Sequence, residues 1–405
     1  MTSPAWSPRV PARRSDVHRS HGFSLIELLI AGTIAMAVAG AVFAMVSPAQ
    51  SAFDTELAAA DMQQRVRVAA DTLTRDLTMA GAGAYVGGRK GPLVHYFAPV
   101  LPFHQGMATD DPPGTFRSDT ISLLSVPVTA AQTTLAADLL PGALTLQLAA
   151  GPGCPAGIVL CGFAAGMTVL VYDDTGNVDV FVIDTVDAAA GQLTLASRPL
   201  DSAATTYPHG SNVVEARVHT YYLKANAAAQ TFQLMHADGS SNAAVPVVDH
   251  VVGLVFNYDG EPRSPTLTAG GDASYGPAPP ALGTQTTAYP AGENCMFRVD
   301  EVSGFQVARL PALAADGALV PLPPAQLVDG PWCPDETNAN RWDADLLRIR
   351  RVGVTIRIEA ALAALRGPAG VLFANAGSSH NAARWAPDLE MHFQLSPRNM
   401  SLERE

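Results

Sequence analysis

From Phe23 to Val46 the chain runs for 24 residues with Glu27 as its only ionisable side chain. At 1.5 Å per residue a helix of that length reaches roughly 36 Å. That is enough to cross a hydrocarbon core of about 30 Å with some tilt. Ser24 and Thr33 can return their hydroxyls to the backbone of the same helix. The run predicts a transmembrane helix over 23–46. Residues 1–22 carry Arg9, Arg13, Arg14 and Arg19 and no apolar run, which suits a leader held on the cytoplasmic side. A conventional secretory signal would be cut after the apolar stretch, and Ala39-Gly40-Ala41 is the rival site for that.

Glu27 is the odd residue in the span. A carboxylate in hydrocarbon is expensive and needs a partner. If the chain were cut after Gly22, Phe23 would carry a new amine. Glu27 lies one helical turn on, on the same face. A buried ammonium and a buried carboxylate could then compensate each other, within one helix or between neighbours.

The stretch Gly22-Phe23-Ser24-Leu25-Ile26-Glu27 resembles the cleavage and methylation motif of type IV prepilins and pseudopilins. The resemblance implies that a prepilin peptidase cuts between Gly22 and Phe23 and methylates the Phe23 amine. It implies that Glu27 pairs with the amine of a neighbouring subunit during assembly. The partners implied are other pilins and minor pilins through the N-terminal helix, the peptidase, an inner-membrane assembly platform and membrane lipid. The implied location is the bacterial inner membrane, with the N-terminus cytoplasmic and the globular part periplasmic, and then the extracellular pilus.

Beyond the span, Phe53, Leu57, Ala60, Val66, Ala70, Leu73 and Leu77 recur at spacings near three and four, with charged residues between them. This predicts an amphipathic helix to about Met79, stopped by Gly81 and Gly83, with Pro48 as a kink or restart. One helix over 23–80 would measure roughly 87 Å. From Gly91 the period becomes that of strands. Asp119–Val126, Ala143–Leu148, Thr168–Tyr172, Val178–Val186 and Gln192–Ala196 are expected strands. They make a β insertion over 127–200. Val213–Leu223 and Thr231–Met235 form a second pair. Val247–Tyr258 is expected to begin as a turn or short helix and end as a buried strand. Residues 260–292 are rich in Gly, Pro, Thr and Ala and predict a long surface loop. Leu346–Ala360 is a long strand with Val352, Val354, Ile356 and Ile358 on one face, and Leu389–Leu395 is the last. The expected class is α+β: a long N-terminal helix packed on a mainly antiparallel β domain over 81–405. Ser118-Asp119-Thr120, Val247–Tyr258, the Arg-rich Leu346–Ile358 and Arg398-Asn399 near Met400 are similar to PilW-like minor pilins. The J-like pseudopilins of type II secretion share parts of this pattern.

The net charge is −12 over 405 residues. Removing residues 1–22 takes away four arginines and one aspartate, leaving 21 basic against 36 acidic residues, or −15. That argues against broad binding to nucleic acid through its phosphates. Arg348, Arg350, Arg351 and Arg357 crowd together, and strand alternation splits them between two faces with solvated edges. Cys154, Cys161, Cys295 and Cys333 lie after the span. None forms a C-x-x-C pair, which speaks against zinc. In an oxidising compartment disulfides are expected, with Cys154–Cys161 and Cys295–Cys333 preferred among three connectivities because each pair pins one Pro/Gly-rich loop.

No nucleophile elbow, H-E-x-x-H, phosphate loop or dinucleotide fingerprint occurs, so neither an enzyme nor a cofactor is expected. His219, His236 and His250 read as surface or packed residues. Asp335, Asn338, Asn340, Asp343 and Asp345 offer oxygen ligands as a calcium loop would, against the favoured reading of a solvated loop. Two function classes follow. One is a minor subunit of a type IV pilus, in its tip or initiating complex, with the J-like pseudopilin as alternative. The other is a membrane-tethered binding module or enzyme.

Overall fold

The computed structural model describes residues 24–84, 91–106, 111–129, 131–150, 159–173, 175–196, 205–228, 231–239, 244–262, 297–308, 318–330, 332–334, 341–366 and 386–400. The chain forms two units, Met1–Glu56 and Leu57–Glu405.

The first element is α1 (Leu25–Met79), 55 residues long, and the helix continues through Pro48. In the first unit every described side chain from Ser24 to Val46 is exposed. Leu25–Val46 is long and apolar enough to cross a membrane, and it stands near the N-terminus, where a signal sequence would also stand.

In the second unit α1 buries Met62, Val66, Ala69, Leu73 and Leu77. These steps of four, three, four and four keep one face of a 3.6-residue period. The expected stripe is therefore corrected at its start. Phe53 and Leu57 are 66% and 68% exposed, and Ala60 is exposed. The six-residue step from Ala60 to Val66 turns a helix by about 240°, so the upstream residues lie on the opposite side. Gly81 ends the helix with φ +80°, a conformation natural to glycine. A Cβ there would meet Pro99, Asn399 and Met400 at 3.2–3.4 Å. The turn Arg398–Met400 closes this end, with Asn399 Nδ2 donating to the Ala80 carbonyl at 3.4 Å.

The strands follow in chain order. They are β1 (Val100–Leu101), β2 (Ile121–Ser125), β3 (Gln132–Thr134), β4 (Thr145–Gln147), β5 (Thr168–Tyr172), β6 (Val178–Asp187) and β7 (Gln192–Leu195). Next come β8 (Asn212–Glu215), β9 (Arg217–Asn226), β10 (Thr231–Ala237), β11 (Val245–Asp249), β12 (Val251–Gly260), β13 (Phe297–Val299) and β14 (Gln306–Ala308). Last are β15 (Val320–Pro321), β16 (Trp332–Cys333), β17 (Trp342–Asp343), β18 (Ile349–Ile358) and β19 (Leu389–Leu395). Three larger sheets result: β1-β2-β9-β10-β11, β15-β12-β18-β19 and β3-β8-β5-β6-β7-β4. Every strand pairing among the described residues is antiparallel. The class is α+β, with an apolar N-terminal helix and several antiparallel sheets.

Three strand expectations change. Val213–Leu223 is two strands, because at Ala216 the chain leaves the six-stranded sheet for the five-stranded one. Val247–Tyr258 also divides, and its start is strand rather than turn or helix. His250, with φ +60°, separates β11 from β12. The insertion's sheet runs on to Glu215, past the expected end at 200.

The β5–β6 hairpin turns on Asp173, whose carboxylate accepts from the Thr175 and Asn177 amides at 2.9 and 3.2 Å. This is the local side-chain turn that Asp favours. The six-stranded sheet is buried on both faces. Leu170, Tyr172, Val180 and Val214 join the main core with the α1 stripe. Their alternates Val169, Val171, Phe181 and Val213 join a second core with Leu146 and Leu193, as the two-residue period of a strand requires.

The arginine expectation fails for a physical reason. Arg348 lies in the 3-10 turn Ala344–Arg348, not in a strand. Arg348, Arg350 and Arg357 are 3–4% exposed, so their edges are not solvated. Each meets an acid: Asp345 at 3.0 Å, Glu261, and Asp388 at 2.7 Å. A buried guanidinium needs such a counter-charge. Cys161 is disulfide-bonded and Cys333 is buried on β16. Cys154, Cys295 and most of the 260–292 loop lie outside the described residues.

Candidate functional site

The residues singled out at the head of the chain are partly described. Gly22 and Phe23 lie outside the described residues. Ser24 and Glu27 open α1 with a reciprocal pair of bonds. The Ser24 amide donates to Glu27 Oε2 at 3.0 Å, and the Glu27 amide donates to Ser24 Oγ at 3.2 Å. This is a capping box, S-x-x-E, satisfying two amides that a helix start leaves without intrahelical partners. The carboxylate also sits at the positive end of the helix dipole. Glu27 therefore has a task inside its own helix that the sequence reading did not assign. The S-x-x-E spacing ahead of an apolar run was its available signal. Thr33 Oγ1 donates to the Ile30 carbonyl at 2.8 Å, as expected of a hydroxyl in such a span.

Of the oxygen-rich segment considered for calcium, Asp335, Asn338 and Asn340 lie outside the described residues. Asp343 and Asp345 are 2% and 6% exposed, which corrects the picture of a solvated loop at these two positions. Asp343 accepts the Asp345 amide at 2.8 Å and the Gly330 amide at 2.7 Å. Asp345 is held by Arg348. Burial pushes the Asp343 carboxyl up to about 7, although both amide bonds work the other way.

A second group comes together from distant parts of the chain. Asp76 stands beside the buried stripe of α1. His219 and Tyr221 share one face of β9, two residues apart. His236 on β10 is the cross-strand partner of Tyr221, so all three strand residues point to the same side. His219 Nδ1 is 2.8 Å from His236 Nε2 and 3.4 Å from Asp76 Oδ2. The Tyr221 hydroxyl donates to Asp76 Oδ2. The His219 and His236 rings stack with centroids 5.1 Å apart. The three possible ligand atoms lie within 4.8 Å of one another. Burial lowers both imidazoles below their usual value, against the pull of Asp76. Burial, then the bond to Asp76, raises the Tyr221 phenol. Nothing in the sequence around His219 and His236 links either of them to Asp76.

Among the described residues a buried polar knot and an open cleft also stand out. Glu359, fully buried, accepts from Thr231 Oγ1 at 2.7 Å and faces Arg366 Nη1 at 3.5 Å and His250 Nδ1 at 3.8 Å. This knot is placed where β10 begins and β18 ends. A cleft of about 490 Å³ lies over β12 and β18, walled by Phe116, Tyr258, Pro323 and Phe393. No family model, curated protein or solved structure matches the chain.

Proposed function

We propose that this chain is a minor subunit of a type IV pilus, cut between Gly22 and Phe23, methylated on Phe23, and assembled through its N-terminal helix. The observation that carries the proposal is the Gly22-to-Glu27 motif at the head of a helix whose described residues from Ser24 to Val46 are all exposed. An uncovered apolar surface of this length needs lipid or other helices around it. The leader, the peptidase and an inner-membrane platform belong to the same proposal. A place at the tip or in the initiating complex suits a large, loop-rich β domain better than dense repetition along a fibre. Within this reading Glu27 works twice. Oε2 holds the Ser24 amide, and Oε1, which that bond does not use, is offered to the amine of a neighbouring subunit.

Intact mass and N-terminal sequencing of the membrane-extracted protein test the reading. A chain that starts at Phe23 with one added methyl is the expected result. A start at Met1 or after Gly40 refutes it and moves the balance to a tethered module or a secreted protein. Two variants separate the roles of Glu27. Glu27→Gln keeps an acceptor for the Ser24 amide and loses the charge, so it should leave the helix start intact and lose incorporation into filaments. Ser24→Ala should weaken the cap by about 1 kcal/mol and retain incorporation. Co-purification with a secretion complex in place of a pilus would instead indicate the J-like pseudopilin role.

A further inference from the structure

We infer that Asp76, His219 and His236 form a binding site for one divalent ion of the zinc class, with an open position for water. The inference is independent of the pilus reading and concerns the second unit alone.

The geometry leads to it. His219 Nδ1 faces two groups at once: His236 Nε2 at 2.8 Å and Asp76 Oδ2 at 3.4 Å. A neutral imidazole nitrogen either donates or accepts. If Nδ1 carries the proton, it satisfies one neighbour and leaves the other without a donor from this ring. If it does not, its lone pair confronts those of the carboxylate. A cation among the three atoms satisfies all of them together.

Two of the three separations can be set against an ion of that class, and the third, between His236 and Asp76, is within 4.8 Å. Zinc binds imidazole nitrogen at about 2.0–2.1 Å and carboxylate oxygen at about 2.0–2.2 Å, so neighbouring ligand atoms in a tetrahedral shell stand about 3.3 Å apart. The His219–Asp76 separation of 3.4 Å already matches. The His219–His236 separation would have to widen by about 0.5 Å, within reach of a small rotation of either ring. Two imidazoles and one carboxylate suit zinc and its transition-metal neighbours, whereas calcium and magnesium prefer oxygen alone.

The surroundings support it as well. Tyr221 donates to Asp76 Oδ2, the kind of outer bond that orients a ligating carboxylate. Asp238 adds negative charge near both imidazoles, and Arg217 adds positive charge near His219. The side chains of His219 and Asp76 are 17% and 13% exposed, so the cluster is not sealed from solvent. The ligands come from α1, β9 and β10. A bound ion would therefore cross-link the last turns of the helix to the five-stranded sheet.

The test uses the full chain in detergent, stripped with a chelator and titrated with Co2+ and then Zn2+. One equivalent of Co2+ should give the visible absorption of a four- or five-coordinate ion, and Zn2+ should bleach it. Zn2+ should also raise the midpoint of thermal unfolding. His236→Ala should weaken Co2+ binding at least tenfold and abolish the thermal shift. If His236→Ala does not fold, His219→Gln, which preserves size and a polar end, should give the same loss. Absence of the Co2+ spectrum in the unaltered protein overturns the inference. So does binding that survives at full strength in a folded variant, because the ion would then be held elsewhere.

Discussion

Replacing Glu359 by alanine should destabilise the protein by about 4 kcal/mol. The side chain is fully buried, and Arg366, its counter-charge, is 4% exposed. Arg366 also donates to the carbonyls of Ala360 at 2.7 Å and Ala361 at 2.6 Å. Without the carboxylate the guanidinium keeps those two acceptors but stays buried with no opposite charge. Breaking one side of such a pair typically costs about 3–5 kcal/mol. The lost bond from Thr231 Oγ1, about 1 kcal/mol by itself, overlaps with that sum. Against a typical stability of about 5–15 kcal/mol the loss is large. Arg366→Met should be comparably harmful, since it takes the guanidinium away from the buried carboxylate. The double variant Glu359→Ala, Arg366→Met removes both charges and should be less damaging than the sum of its singles by about 2–3 kcal/mol. Denaturant unfolding of the full chain in detergent, followed through tryptophan fluorescence, measures all four corners of the cycle. A loss below about 1 kcal/mol in Glu359→Ala would refute the reasoning. Additivity of the two single changes would do the same.

Other expectations are simpler. Leu73→Ala, in the fully buried part of the α1 stripe, should cost about 2–5 kcal/mol, whereas Leu57→Ala should stay within about 0.5 kcal/mol. Equal losses in denaturant unfolding would restore the stripe first expected from spacing. Asp343 should make stability fall as pH rises. Its folded value of about 7 lies above its ordinary 3.8, so between these limits the unfolded chain releases a proton that the folded chain retains. The effect is fully present in favour of folding below roughly pH 4 and is lost by about pH 7, with a ceiling of about 4 kcal/mol. Asp343→Asn should flatten the pH profile over that window. An unchanged slope in unfolding curves from pH 4 to 8 would place the titration in another group.

Local periodicity made much of the fold legible. The apolar run from Phe23 and the 3.6-residue pattern that ends near Met79 together place the helix within two residues of its ends. Thr168–Tyr172 and Leu389–Leu395 match β5 and β19, each bounded by turn chemistry. Parity misled at the arginines, since alternation holds only inside a strand and Arg348 belongs to the 3-10 turn before it. It also misled at Ala216 and His250, where β-prone residues run on without a break while the chain changes sheet or turns. The histidine cluster was invisible for another reason. Tyr221 and Asp76 are 145 positions apart, and nothing local tells a strand which helix will cover it. The cap at Ser24 and Glu27 is legible in the S-x-x-E spacing, where one side chain carries both a charge and a hydrogen-bonding role.

The six-stranded sheet bears on how such a chain can be cut or rebuilt. Its two ends leave and re-enter at neighbouring strands, for Ser125 on β2 is paired with Arg217 on β9. By connectivity it is therefore a removable module, and a short turn would rejoin the chain. By packing it is not. Tyr172 lies edge-on to Tyr96 and Phe97, with centroids 4.9 and 5.6 Å away, and Trp342 Nε1 donates to the Gly176 carbonyl at 3.0 Å. A deletion that respects the backbone would lay open a wall of the main core, so the segment is detachable along the chain and indispensable to the packing.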